Sequence, residues 1–282
     1  MAVAKPAGPT SHDVVAMVRR ALAGVRAGHL GTLDPFAEGV LVVVAGRATR
    51  LAPYAGAWPK TYEGVIRLGV TTDTDDRTGA PVATSDAWGT VTPEQADGAL
   101  ARFRGTFAQR PPAYSAVKVA GERAYRRARR GEAVAPAARE ITVYALERTE
   151  FEPPDLRFRA TVSGGTYLRS LARDVGEALG CGAHLATLTR TAVGPFALAD
   201  AVAPEEVTAE ALRPMDVLVA DLPRRELTDV EREAVVHGRP VADGEEGKGE
   251  GGRVALFHGG EVVAVAEVAS GLLKPRVVVA DG

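Results

Sequence analysis

An aspartate, Asp34, stands in the stretch GHLGTLDPFAEGVLVVVAG (residues 28–46), in a glycine-flanked turn just before the most apolar run of the chain. A carboxylate held there could attack an electrophilic carbon or move a proton. An Asp-Pro step also starts many ordinary turns, and the local pattern leaves both readings open. Gly28, Gly31 and Gly39 allow another molecule to approach the backbone closely, and the apolar run behind them offers rigid support. Glu38, four residues on, invites the paired-carboxylate chemistry of a retaining glycosidase. Pro35 and Gly39 bracket the stretch, however, and argue against the helix that would align the pair. His29 beside the turn and Tyr62 further on could be ordinary loop and core residues. Arg169 lies early in a helical pattern, where a cation gains nothing from the helix dipole. Such a position invites a carboxylate partner.

Metal and nucleotide chemistries find little footing. TTDTDDRTG (71–79) looks like a calcium loop, but counting from Asp73 the sixth position is Thr78 rather than Gly and the twelfth Thr84 rather than Glu. The sequence holds no HExxH, CxxC, GxGxxG or Walker-type motif, and its histidines are scattered. No cofactor is expected: the chemistry to look for is that of one carboxylate and its neighbours.

The elements that must position these groups are legible as patterns. Residues 13–23 place Val14, Val15, Val18 and Leu22 on one helical face, with Ser11 or Asp13 as N-cap. The run 40–45 reads as a buried strand, and 61–70 alternates like a strand. Thr92 and Pro93 open a helix over 92–102, and 123–130 reads as a short basic helix ended by Gly131. Residues 141–151 and 156–162 read as strands, and 167–179 as an amphipathic helix closed by Gly180. After Pro214 comes a connecting stretch, then a low-complexity loop (243–252) and three short strands, VALFH, EVVAVAEV and KPRVVVA. Strand runs mixed with isolated helices predict an α+β fold, with a small β-barrel-like unit at the C-terminal end.

At 282 residues the chain could form one large domain or a large and a small one. An apolar share of 46% can build a core, and the net charge of -2 excludes a uniformly basic nucleic-acid coat. The average hides a bias: residues 102–130 carry nine Lys/Arg against Glu122 alone, whereas 221–282 carry 12 acidic and 8 basic residues. The basic segment suits an anion such as RNA phosphate, or simply a solvated helical face; charge alone does not choose. Cys181 is the single cysteine, so no disulfide within the chain and no thiolate cluster can form. No signal-like segment or membrane-length apolar run is present, and a cytoplasmic location is expected.

Taken together, five segments resemble the TruB family of tRNA pseudouridine synthases, in the family's order and through nearly the whole chain. KPAGPTSHDVV resembles its N-terminal element and GHLGTLDPFAEGVLVVVAGRATR its catalytic signature. KTYEGVIRLGVTTDTDDRTG is similar to the segment with the active-site tyrosine. QRPPAYSAVKVAGERAYRRARRGE is similar to the RNA-gripping thumb, and GGTYLRSLARDVGEALGCGAHLATLTR to the conserved-arginine segment. The tail with LLKPRVVV is similar to a PUA module. Leu30, Ala4 and Arg50 depart from the usual residues, and none of these departures removes a catalytic group.

The resemblance implies a mixed, largely antiparallel sheet with flanking helices over 1–218, a thumb-like insertion at about 109–139, and a PUA-like RNA-binding unit over 219–282. It implies isomerisation of uridine 55 in the T loop of tRNA to pseudouridine, with no cofactor and no metal. By the same resemblance Asp34 is the nucleophile, by attack on the anomeric carbon or by a glycal route. Tyr62 stacks on the uracil, and Arg169 keeps Asp34 ionised and aimed, itself held from its other side by Asp76. His29 fills the space left by the flipped base, while Lys5, Pro6, Tyr167 and Leu188 line the pocket. Arg110, Lys118, Arg123, Arg126, Arg127 and Arg130 grip the RNA backbone. A monomer acting on the T arm, with no guide RNA and no membrane, is the expected form.

Overall fold

The computed structural model describes residues 1–282 apart from 56, 116, 120, 125–126, 128–129, 133, 135, 245–249 and 282, and apart from the side chains of 118, 119 and 123. The chain opens with β1 (Ala2–Lys5), α1 (Ser11–Ala21), β2 (Ala27–His29), β3 (Glu38–Ala45), β4 (Lys60–Leu68), β5 (Val70–Thr72) and β6 (Pro81–Thr84). After α2 (Pro93–Ala101) come β7 (Gly105–Gln109), β8 (Lys118–Val119), β9 (Glu122–Arg123), β10 (Arg139–Glu152) and β11 (Asp155–Val162). A helix over Leu168–Ala178 leads to β12 (Ala183–Val193) and β13 (Phe196–Ala197). The C-terminal part holds β14 (Arg224–Glu226), a helix over Asp229–Val236, β15 (Val241–Ala242), β16 (Arg253–His258), β17 (Glu261–Ala269) and β18 (Leu272–Val278).

A nine-stranded sheet in the order β1-β3-β12-β4-β11-β10-β7, with β2 and β13 on its flanks, carries the large part of the fold. All its pairings are antiparallel except β12 with β3. The fold is thus the mixed, mainly antiparallel α+β arrangement expected. Strand β12 is the hinge of the design: Arg190 stands opposite Gly39 of β3 on one side and opposite Tyr62 of β4 on the other. This register brings the Asp34 turn and Tyr62 side by side. The helix Leu168–Ala178 packs Leu171, Ala172 and Val175 into the core shared with Ile66, Phe158 and Leu185.

Several local expectations shift. The N-cap of α1 is Thr10, and Asp13 is its N3 partner in a capping box. The strand expected over 61–70 breaks at Gly69, whose φ of +84° and close contact with Trp88 turn the chain into β5. The basic helix expected over 123–130 falls largely outside the described residues; Glu122 and Arg123 there form the second strand of a short hairpin with β8.

The C-terminal strands form a separate sheet in the order β14-β16-β17-β18-β15. Ala255, Phe257, Val265 and Val279 share a core with Val40, Val42 and Val44, so this unit packs on the face of β3 that carries those valines. Arg50 adds a hydrogen bond to the Val278 carbonyl at 2.9 Å. The helix Asp229–Val236 was not expected, although Thr228 and Glu231 form its capping box.

The Arg225 guanidinium, followed by the Thr228 amide, holds the Glu231 carboxyl down to about 2 from 4.5. Because the folded value is the lower one, this stabilisation is complete above about pH 4.5 and is lost as pH falls toward 2. Glu231→Gln is therefore expected to cost about 1 kcal/mol at neutral pH, a gap that thermal unfolding should find shrinking across that acid window.

Candidate active site

The Asp34 turn is built from backbone bonds that leave one carboxylate free to face a cavity. Ser11, at the start of α1, clamps Leu33 twice: its Oγ accepts from the Leu33 amide at 2.9 Å and donates to the Leu33 carbonyl at 3.1 Å. Beyond Asp34, the Gly8 amide donates to the Pro35 carbonyl at 2.7 Å and the Ala37 amide to the Asp34 carbonyl at 3.1 Å. Lys5 closes the back of the turn, its Nζ donating to the carbonyls of Pro6 (2.9 Å), Pro35 (3.3 Å) and Ala37 (2.7 Å). Gly39 is required where β3 leaves the turn. Its φ is +110°, and a Cβ there would lie 2.2 Å from the Arg190 carbonyl oxygen. Gly31, also at φ +109°, leaves room for the stem of Lys60, whose Cε would lie 3.1 Å from a Cβ.

Arg169 grips the Asp34 carboxylate with two bonds, Nε to Oδ2 at 2.9 Å and Nη2 to Oδ1 at 3.1 Å. The guanidinium is almost completely buried, while a third of the Asp34 side chain remains open to the cavity. Its remaining donors are used as well. Nη1 donates to the Thr74 carbonyl at 2.9 Å and lies 3.5 Å from Asp76 Oδ2, and Nη2 also donates to the Tyr114 carbonyl at 3.0 Å. A planar fork with five donors is the side chain suited to such a fixed set of acceptors.

The loop that resembled a calcium site is the support for this arginine. Asp76 accepts from the Thr74 hydroxyl and the Thr78 amide, each at 2.9 Å, so its carboxylate is fixed before it meets Arg169. Asp75 pairs with Arg173 at 3.0 Å, and burial raises its carboxyl above the usual range. Asp73 accepts from the Ala80 amide at 2.9 Å. Among the described residues no group of His, Cys, Asp and Glu side chains is arranged to hold a metal ion.

The cleft has a volume of about 500 Å³ and is lined by Asp34, Tyr62, Tyr167, Arg169 and Leu188 from the expected set. Tyr62 and Leu188 are buried against the core, so the cleft joins an apolar wall to one anchored carboxylate. Two expected lining residues stand elsewhere. Lys5 is 1% exposed, with its ammonium committed to carbonyls behind the turn, and Pro6 is exposed beyond the cleft. Asp76 lies behind Arg169 rather than at the cavity. His29 borders a neighbouring groove of about 750 Å³, in edge-to-face contact with His12. Burial, then His12 and Arg190, push His29 below its ordinary range, which favours the neutral ring.

The basic segment is tied at its base to the start of the helix Leu168–Ala178. Gln109 exchanges two hydrogen bonds with the backbone of Tyr167, and Ser170 Oγ donates to the Arg110 carbonyl at 2.9 Å. Arg110 is exposed. Arg127 pairs with Glu132, and Arg130 with Glu122 and Glu132. Arg126 and the side chains of Lys118 and Arg123 lie outside the described residues.

Two cleft residues escaped the sequence reading. Arg190 is completely buried, its Nε donating to the Val40 carbonyl at 2.7 Å and its Nη2 to that of Gly31 at 3.0 Å. It ties the start of the Asp34 turn to β3, a role no local pattern announces. Lys60 lies two residues before Tyr62 on β4, and the two-residue period of a strand would have put it on the same face. Burial, then Arg190, lower its ammonium below the usual range.

Known proteins resemble this chain over nearly its whole length. The model of the TruB family pseudouridylate synthase N-terminal domain matches residues 19–168, and that of the tRNA pseudouridylate synthase B C-terminal domain matches residues 169–232. A tRNA pseudouridine synthase B of Thermobifida fusca (strain YX) is 46% identical over 289 residues, covering 99% of this chain and 97% of the relative. Another, of Azoarcus sp. (strain BH72), is 41% identical over 283 residues, covering 98% and 93%. Among solved structures, a chain of a Cbf5-Nop10-Gar1 complex superposes with a TM-score of 0.76 at 29% identity, covering 100% of this chain and 84% of that one. A chain of an archaeal box H/ACA sRNP Nop10-Cbf5 complex gives 0.75 at 28% identity, covering 100% and 86%.

Proposed function

The chain belongs to the TruB family of pseudouridylate synthases, and from that footing we propose that it isomerises uridine 55 in the T loop of tRNA to pseudouridine, with Asp34 as nucleophile. The observation that carries this reading is the Asp34 carboxylate, held by Nε and Nη2 of a buried arginine and lining a cleft with Tyr62 and Leu188. A flipped uridine entering the cleft brings its C1′ to Asp34. The carboxylate oxygen bonds to C1′ as the N1–C1′ electrons leave with the uracil. The freed ring turns until C5 faces C1′, the C5–C1′ bond forms, and the Asp34 oxygen is released. The proton at C5 is lost and N1 gains one, so the product has the composition of the substrate.

Each neighbour has a part in that sequence. Arg169 keeps the carboxylate anionic and fixed in direction, and Asp76 holds Arg169 from behind. Tyr62 and Leu188 sandwich the loose uracil, and Tyr62 takes the C5 proton in this reading. Flipping costs on the order of a few kcal/mol, offset by stacking in the cleft and by the insertion at about 109–139 gripping the T-arm backbone. In the same reading residues 1–218 form the catalytic domain and 219–282 a PUA-like RNA-binding unit; in support, the latter has its own sheet and its own core around Leu227, Val235 and Leu256. The chain would work as a monomer without guide RNA, in the cytoplasm where its tRNA substrate is processed.

Tritium release from T-arm RNA carrying 5-tritiated uridine tests the proposal. The expected result is one tritium lost per target uridine and pseudouridine in the digested product. Free uracil, or no release, would overturn it.

A further inference from the structure

Three cations lie around the base of the cleft, and among the described residues none has a carboxylate within ion-pair distance: Lys5, Lys60 and Arg190. For two of them backbone carbonyls replace a counter-ion. Lys5 spends all three ammonium protons on Pro6, Pro35 and Ala37, and Arg190 spends its guanidinium on Val40, Gly31 and Thr32. Lys60 is different. It is 8% exposed, yet its Nζ has a single acceptor, the Trp58 carbonyl at 3.1 Å. Two of its N–H directions remain uncommitted.

Its position is equally particular. Lys60 lines both the Asp34 cleft and the groove beside it, and among the described residues only Gly31 and Gly165 share that property. It therefore stands on the saddle between the two cavities, one strand residue pair away from Tyr62. The groove beyond holds His29 and Tyr144, and the Tyr144 ring is more than half exposed. An ammonium kept out of water beside another cation is costly unless an anion completes it. Asp34, the acidic residue lining the cleft, is already taken up by Arg169, and Glu140 of the groove is exposed and forms no ion pair with Lys60. A polynucleotide that spans the groove and the cleft brings one negative phosphodiester per nucleotide, and Lys60 lines both cavities.

We infer that Lys60 is a substrate-binding residue that donates to a phosphodiester oxygen adjacent to the target uridine where the strand passes from the groove into the cleft. This rests on the RNA-isomerase reading above. The rival is a purely structural lysine that pins the Trp58 carbonyl.

The two roles separate by salt and by phosphate replacement. T-arm RNAs carrying one neutral methylphosphonate at each phosphate around the target are assayed with the wild-type chain, Lys60→Met and Lys60→Arg. One position is expected at which the wild type loses about 10-fold to 100-fold in affinity, while Lys60→Met, already weakened by that factor on unmodified RNA, loses nothing more. The slope of log affinity against log salt should fall by about 0.7–0.9 in Lys60→Met, and Lys60→Arg should keep the wild-type slope. A Lys60→Met slope equal to wild type, or the same methylphosphonate losses in both proteins, would overturn the inference. Should Lys60→Met fail to fold, absence of any sensitive phosphate in the wild type and Lys60→Arg overturns it instead. Tritium release by the wild type on unmodified RNA is the separate test of the parent reading: its failure defeats that reading, whereas normal release with an unchanged Lys60→Met slope defeats this inference alone.

Discussion

Asp34→Asn is expected to bind T-arm RNA about as tightly as the wild type and to release tritium on the order of 10⁴-fold more slowly or worse, as removal of a nucleophile does elsewhere. The substitution keeps the size of the side chain and removes only its charge and one acceptor. Arg169 stays anchored, because the carbonyls of Thr74 and Tyr114 and the carboxylate of Asp76 still receive its donors. Asparagine can accept one of the two former bonds, while its amide faces a guanidinium that offers only donors. The cost to stability should be modest, about 1–2 kcal/mol, since Asp34 is one-third open to the cavity rather than sealed. Thermal unfolding and RNA binding measured beside single-turnover rate distinguish lost chemistry from lost fold. A variant that bound RNA and still released tritium within tenfold of wild type would remove Asp34 from the mechanism.

How much of this was readable beforehand depends on how far apart in sequence the partners lie. Arg169 carried a local signal, a cation at the wrong end of a helix, and Asp34 a weaker one, a carboxylate in a glycine turn that an ordinary Asp-Pro turn would also show. Tyr62 read locally as a core aromatic and was singled out by the family resemblance. The expectation that Arg169 wants a carboxylate is met twice, by Asp34 and by Asp76. Thr92 and Pro93 were equally legible, since a cap and the first helical residue are short-range chemistry. The burial of Lys5, which the resemblance had placed at the pocket, and the whole role of Arg190 were not. A lysine or arginine reads as surface, and these two are buried because carbonyls from distant segments converge on them; Arg190 meets Val40 across 150 residues. No periodicity encodes such a convergence, which exists only once β12 has inserted between β3 and β4. The helix Asp229–Val236 was missed for a different reason. It is eight residues long with charges on most of its turns, and its one clear signal, the pairing of Thr228 with Glu231, lies at the cap rather than in an apolar stripe.

Arg169→Lys separates the fixing of Asp34 from the provision of a nearby positive charge. A lysine ammonium there keeps the sign of the charge but offers a point rather than a fork. It cannot at once span both oxygens of Asp34 and reach the carbonyls of Thr74 and Tyr114, which lie on separate loops. Asp76, almost fully buried, would lose its contact at 3.5 Å unless the ammonium abandoned Asp34. Breaking a buried pair on one side typically costs about 3–5 kcal/mol, and the retained charge should limit the loss to about 2–4 kcal/mol, read as a lower melting temperature. The rate should fall on the order of 10³-fold, less than for Asp34→Asn, because the nucleophile remains but is no longer aimed. Asp76→Asn gives the graded control. There Arg169 still grips Asp34 with two bonds, and the loss should be only about tenfold. The order Asp34→Asn, then Arg169→Lys, then Asp76→Asn follows from how many bonds separate each change from the reacting carbon. If Arg169→Lys retained full rate and melting temperature, a charge anywhere near Asp34 would suffice, and the two-pronged grip would have no part in turnover.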